Sequence, residues 1–475
     1  MQPLYHEYMD VQGDFISYED FNKNFRLKRP ASFNFAYDVV DRLGREDPER
    51  PALLWTDPEG DVVRYDFRRM MLDSNRAANY FKSIGVKKGD AVMLILKRHH
   101  EFWPIIIALH KIGAITIPAT HLLTAKDIRY RVQAADVTTI VCTEHTTCVA
   151  DAVEEAAPDC PTLKNRMLVR TKRPGWLSYD EGFAAASDVW EKPTGDAYAQ
   201  NEDIMLLYFT SGTTGMPKMV THNYYYPLGH ILTAVYWLQV EDGGLHLTVS
   251  ETGWAKSVWG KLYGQWMAGS AVMAYDFEKF IPKNMLAILE KHRVTSFCAP
   301  PTVYRFLIKE GMDGYDLSSL EYATNAGEAL NYEVYRRFLE NTGIHLMEGF
   351  GQTETTLLIA NLAGSETRPG SMGKPSPLYD VALVDRQGNE VAPGEVGEIV
   401  VRPCKTGRQY GIFSAYNNDD ALYAKAWQGG VYHTGDTAYI DEDGYYWYVG
   451  RLDDIIKSSG YRIGPFEIES VLMEH

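Results

Sequence analysis

Hydrophobic positions along this chain fall into short runs separated by segments of helical length. Residues 91–96 (AVMLIL) follow the turn residues Lys88, Gly89 and Asp90. A helical stretch from about Glu101 ends at Gly113, and residues 114–118 and 138–142 are again strand-like. Such alternation predicts strands covered by helices, a doubly wound α/β arrangement. The same texture continues from Ile204 to about Gly373, with strands expected near residues 205–209, 271–274 and 296–299. Beyond about Pro375 the runs shorten to 381–384, 397–401 and 445–449, divided by Gly, Pro, Asp and Asn. Residues 441–444 (DEDG) ahead of four aromatics read as a hairpin. The expected organisation is therefore a first α/β subdomain (1–200), a second (201–375), a small β-rich subdomain (376–450), and a joint opening a further unit (451–475).

Composition narrows the function. At 475 residues, with 45% hydrophobic and 23% charged residues, the chain reads as an ordinary soluble globular protein. A net charge of −16 argues against nucleic acid and against an anionic membrane surface, both of which need a basic face. Cys142, Cys148, Cys160, Cys298 and Cys404 are scattered and unpaired in sequence, which fits a reducing compartment and a buried, inert thiol at each position. The most apolar stretch, residues 102–118, is interrupted by His110, Lys111 and Gly113 and is too short to span a bilayer of ~30 Å. Acidic residues come early and neither a basic nor an apolar leader region opens the chain, so a cytoplasmic location is expected.

The densest chemistry lies at residues 210–218 (TSGTTGMPK), directly after an apolar strand. Gly212 and Gly215 let the backbone approach a ligand closely. Thr210, Ser211, Thr213 and Thr214 supply hydroxyl donors, and Lys218 supplies a point charge. That combination suits the phosphates of a nucleotide. The spacing is not G-x-x-x-x-G-K-[ST], so a Walker-type kinase or ATPase is a poor match.

With residues 325–330 (NAGEAL), 348–354 (EGFGQTE), 394–401 (GEVGEIVV), 432–436 (YHTGD) and 450–469 (GRLDDIIKSSGYRIGPFEIE) following in order, the loop resembles the signature of the adenylate-forming superfamily. The nearest resemblance is to medium-chain and branched-chain acyl-CoA synthetases. It implies two α/β subdomains, a small β-barrel subdomain, and an α+β C-terminal domain mostly absent here. It also implies conversion of a carboxylic acid and ATP into an acyl-adenylate, then transfer to CoA. By that resemblance Glu354 ligates Mg2+, Thr353 bonds the α-phosphate, and Gly327, Glu328 and Ala329 line the adenine face. Glu348 lies near its amino edge, Gly349, Phe350, Gly351 and Gln352 complete the nucleotide wall, Asp436 takes the ribose hydroxyls, and Arg451 bridges ribose and phosphate. A hard cation on phosphate oxygens wants a carboxylate, and a carboxylate's two oxygens suit two hydroxyls.

The resemblance puts the acid pocket around residues 252–266 and just before GQTE, with Trp254, Lys256, Trp259 and Gly351 as its residues. Acetate-specific relatives carry tryptophan where Gly351 stands, so glycine is expected to leave room for a longer or branched acid. Lys256 either binds the carboxylate or lies along Trp259 to reach water. Asp453 resembles the hinge of the C-terminal domain, and Arg462 the residue serving thioester formation. No Pro-x-Gly-Lys-like motif follows Gly450, so slow adenylation is expected of this chain. Three alternatives stay open: an aryl-acid ligase, a carrier-protein loading enzyme, and a non-catalytic binder of ATP or acyl-adenylate. The oligomeric state is also open, a homodimer included.

Overall fold

A computed structural model describes residues 1–10, 15, 17–144, 148–210, 216–403, 410–452, 454 and 472, and the backbone of 456–458 and 461–463. The predicted strands form where the apolar runs are, at Ala91–Ile95, Val137–Thr143, Ile204–Thr210, Ala271–Tyr275 and Ser296–Ala299. They assemble into two large, mainly parallel sheets with antiparallel edges. The first has eight strands in the order Ala415–Tyr416, Lys218–Asn223, Ile204–Thr210, Ile115–Pro118, Ala91–Ile95, Val137–Thr143, Asn165–Val169, Leu177–Ser178. The second has nine: Lys374–Pro375, Leu357–Ala360, Leu346–Gly351, Tyr322–Asn325, Ser296–Ala299, Leu245–Thr248, Ala271–Tyr275, Pro51–Thr56, Val62–Asp66.

Strand periodicity splits each sheet between two cores. Val92 and Leu94 enter the largest apolar cluster, whereas Ala91, Met93 and Ile95 enter a second on the opposite face. In the other sheet Val272 and Ala274 join that same largest cluster, and Met273 and Tyr275 a third. The largest core therefore draws on both sheets. Helix Phe102–Ile112 contributes to it and is buried at every residue, which explains why it is apolar apart from His110 and Lys111. It stops at Gly113, whose φ of 86° places it in the left-handed region where glycine costs nothing sterically. Among the described residues no helix is long and apolar enough to cross a membrane.

Two expectations change. Sheet membership does not follow a cut at residue 200: the first sheet takes Ile204–Thr210 and Lys218–Asn223, and the second takes Pro51–Thr56 and Val62–Asp66. An apolar run reveals a strand but not its neighbour, which is set by the crossover. The third sheet, Asp380–Val384, Gly397–Arg402, Tyr432–Ile440 and Tyr446–Arg451, is antiparallel throughout and linear in order. It is open among the described residues, not a closed barrel, since four strands are too few to close. Cys142, Cys160 and Cys298 are buried as expected, but Cys148 is exposed.

Candidate active site

A cavity of about 840 Å³ opens where the three sheets converge, and nearly every described candidate residue lines it. From the first sheet come Thr210 and Lys218, register partners at the mouth of an antiparallel hairpin. Ser211, Gly212, Thr213, Thr214 and Gly215 lie outside the described residues. The described residues on either side are strands, Ile204–Thr210 and Lys218–Asn223. Lys218 supplies a point charge on this wall of the cavity.

The second sheet supplies strand Leu346–Gly351 and the turn after it. Glu348 is 4% exposed, its Oε2 has no hydrogen-bond partner among the described residues, and burial pushes its carboxyl up to about 8, against a weaker pull from the Leu330 backbone. The next residues must be small for packing reasons. A Cβ on Gly349 would lie 2.5 Å from the Trp237 ring, and one on Gly351 would lie 2.4 Å from the Thr356 carbonyl oxygen. Phe350 stands 6.1 Å, centroid to centroid, from Tyr448 of the third sheet.

Gln352 acts differently from a simple wall residue. Its Oε1 accepts from the Tyr432 hydroxyl at 2.7 Å, and its Nε2 donates to Asp436 Oδ2 at 2.5 Å and to the Thr434 carbonyl at 2.9 Å. Tyr448 donates to Asp436 Oδ1 at 3.0 Å, and Arg451 Nη1 lies 3.5 Å from Oδ2. Burial raises the Asp436 carboxyl, while Arg451, Tyr448 and Gln352 pull it down. Asp436 is thus a buried acceptor already oriented by three neighbours. Sequence reasoning missed Tyr432 and Tyr448, although Tyr432 stands in a motif it used and Tyr448 among the four aromatics of the hairpin.

Thr353 lines the cavity, and its carbonyl accepts from His222 Nε2 at 2.8 Å. Burial lowers His222 to about 4, so that imidazole is neutral near pH 7. Glu354 is 7% exposed, and its Oε1 accepts from the Tyr416 hydroxyl at 2.8 Å. Among the described residues no group of three or more His, Cys, Asp or Glu side chains could hold a metal alone. A single buried carboxylate on the wall of this cavity instead fits a cation carried largely by a nucleotide, since Mg2+ is commonly bound by one or two carboxylates plus substrate phosphates.

Helix Ala255–Lys261 forms the remaining wall, and Lys256 and Trp259 on it both line the cavity. Trp254 caps it at 56% exposure, at the mouth. Lys256 Nζ donates to the Ala326 carbonyl at 2.6 Å, beside Gly327 with its φ of +99°. Burial lowers its ammonium below the usual lysine range, with Cys298 and Glu328 opposing. Ala329 lines the cavity, and Glu328 accepts from the Thr302 hydroxyl at 2.7 Å. Trp259 donates to the Tyr226 hydroxyl at 3.2 Å, and its ring tip would lie 2.5 Å from a Cβ on Gly351. The tip of the Trp259 indole therefore packs against the backbone at Gly351. A one-residue comparison of Gly351 with tryptophan could not register a second tryptophan arriving from another element.

Asp453 lies outside the described residues. Arg462 sits on a two-stranded antiparallel ribbon, Ile456–Ser458 with Tyr461–Ile463, paired in register with Lys457. Its side chain lies outside the described residues.

Comparison with known proteins agrees with this geometry. The chain is 38% identical over 470 residues to the mitochondrial acyl-coenzyme A synthetase ACSM3 of Pongo abelii, covering 97% of this chain and 79% of that protein. It is 40% identical over 471 residues to the mitochondrial acyl-coenzyme A synthetase ACSM4 of Homo sapiens, covering 97% and 80%. Among solved structures, the anthranilate CoA ligase AuaEII in complex with anthranoyl-AMP superposes with a TM-score of 0.86 at 27% identity, over 94% of this chain and 83% of that one. The AMP-binding enzyme family matches residues 40–411. With the hairpin lysine, the GQTE carboxylate and the oriented Asp436 in one cavity, and with this match across most of its length, the chain belongs to the AMP-binding enzyme family.

Proposed function

We propose that the chain is an ATP-dependent acyl-CoA synthetase, an acid–thiol ligase that forms an acyl-adenylate and pyrophosphate and then passes the acyl group to CoA. The observation that carries this reading is the order of groups around the cavity: Lys218 on one wall, Asp436 and Arg451 on another, and helix Ala255–Lys261 on a third. Attack of a carboxylate on a phosphate brings two anions together, so positioning and charge neutralisation supply most of the catalysis. Lys218 and Arg451 are cations on the cavity wall suited to that work, with the Thr353 hydroxyl as a further donor. Asp436, held by Gln352 and Tyr448, is suited to accept from two ribose hydroxyls. Glu354 would hold Mg2+, which when bound offsets phosphate charge. The names of the relatives and the anthranilate ligase structure support CoA as acceptor.

The acid we infer is of short or medium length or branched, with Trp259 in place of Gly351 as the residue limiting its size. Asp453 as hinge and Arg462 as a residue of the thioester step belong to the same proposal, as does the division of the chain into α/β, β-rich and C-terminal units. We further propose a cytoplasmic location, in contrast to relatives named as mitochondrial; fractionation beside an organelle marker decides it. The function itself is tested by pyrophosphate–ATP isotope exchange across a panel of carboxylic acids, followed by acid-dependent AMP release with CoA against a pantetheinyl carrier protein. Exchange with apolar acids and release with CoA are expected; no exchange with any acid would return the chain to the class of nucleotide binders.

A further inference from the structure

Tyr416 belongs to none of the motifs above, yet it touches two of them. It lies on the short strand Ala415–Tyr416, antiparallel to Lys218–Asn223, with Tyr416 opposite Val220. That strand is firmly tied: Ser414 N–H donates to the Thr221 carbonyl and Asn417 N–H to the Met219 carbonyl, each at 2.8 Å, and the Thr221 hydroxyl donates to the Ala415 carbonyl at 3.0 Å. The same segment grips the GQTE turn, because Phe413 N–H donates to the Glu354 carbonyl at 2.7 Å. Tyr416 itself is 3% exposed; its hydroxyl donates to Glu354 Oε1 at 2.8 Å, and its ring face lies 5.4 Å from Lys218 Nζ. One buried side chain thus meets the cation of the phosphate hairpin with its ring and the carboxylate of the opposite wall with its hydroxyl.

We infer that Tyr416 is a positioning residue that pins Glu354 for a nucleotide-borne divalent cation while keeping that carboxylate from pairing with Lys218. A carboxylate and an ammonium on the walls of one cavity attract each other and would otherwise neutralise each other. Pinning one oxygen leaves ample acceptor capacity, since an ionised carboxylate offers about four lone-pair sites. It also orders the ligand before the cation arrives, as an orienting partner does for a metal ligand. This inference rests on the reading that the cavity takes Mg-ATP. The test is calorimetric titration of ATP into the full 475-residue chain, in excess magnesium and in EDTA, for wild type and Tyr416→Phe. Loss of one hydrogen bond to a charged group is worth roughly tenfold. The gain in ATP affinity brought by magnesium should therefore fall about tenfold in Tyr416→Phe, with affinity in EDTA changed by less than about twofold. Thr221→Val, which loosens only the anchor of the strand, should show a smaller drop of the same kind, and it serves if Tyr416→Phe does not fold. An unchanged magnesium gain in these variants overturns the inference. No ATP binding by the wild type in either buffer overturns the nucleotide reading itself, and this inference with it.

Discussion

At the scale of single residues, burial decides what the site can do. Glu348 has its carboxyl raised from 4.5 to about 8 by desolvation. The folded chain therefore keeps a proton that the unfolded chain releases, so this contribution to stability is complete below about pH 4.5 and declines as pH climbs toward 8. Glu348→Gln should flatten that part of the stability curve, measured as the urea midpoint from pH 5 to about 8; an unchanged slope would show that Glu348 titrates normally. Trp259 makes the second residue-scale prediction. Its ring fills the space beside Gly351, so Trp259→Ala should move the preference toward longer acids, raising kcat/KM on the order of tenfold per accommodated methylene. The same change should lower stability by about 3–5 kcal/mol, because a buried tryptophan is lost. Preference that stays put across a straight-chain acid series would place the limit elsewhere.

Elements set where those residues stand, and here the sequence was most legible. The strands at Ala91–Ile95 and Ser296–Ala299 and the helix ending at Gly113 coincide with their apolar runs, because local pattern and burial ask for the same thing. Strand Leu346–Gly351 was legible only as a motif: two glycines and a glutamate do not look like a strand until Trp237 and Trp259 are known to press on them. Tyr416 was not legible at all, since a two-residue strand carries no period and its partners, Lys218 and Glu354, are 198 and 62 positions away. Trp259 against Gly351 is the same kind of case, a contact between elements that no local pattern encodes. The neighbouring edge gives a prediction at this scale. Gly373 has a φ of +96°, and a Cβ there would lie 2.1 Å from the main chain of Ala360. Gly373→Ala combines a clash with a disfavoured backbone and should cost about 1–3 kcal/mol in urea unfolding. It should also weaken ATP binding, because the displaced strand Leu357–Ala360 pairs directly with Leu346–Gly351.

At the scale of the whole molecule, the shared core is the governing feature. Two sheets that a linear reading assigns to separate subdomains exchange strands across residue 200 and bury Val92, Leu94, Val272 and Ala274 in one apolar cluster around helix Phe102–Ile112. Neither sheet can lose its helices without exposing the other's inner face, so the free energies of the two are coupled by the largest apolar surface in the protein. The cavity draws on all three sheets, so its geometry depends on that coupling; a local opening of the first sheet alone would carry Lys218 away from Glu354 and Asp436. Scanning calorimetry should accordingly show one main transition for the two α/β layers, not two, and saturating ATP should shift that transition as a unit by mass action. Two resolved transitions, with only the higher one moved by ATP, would mean that the sheets unfold independently and that the shared core contributes packing without cooperativity.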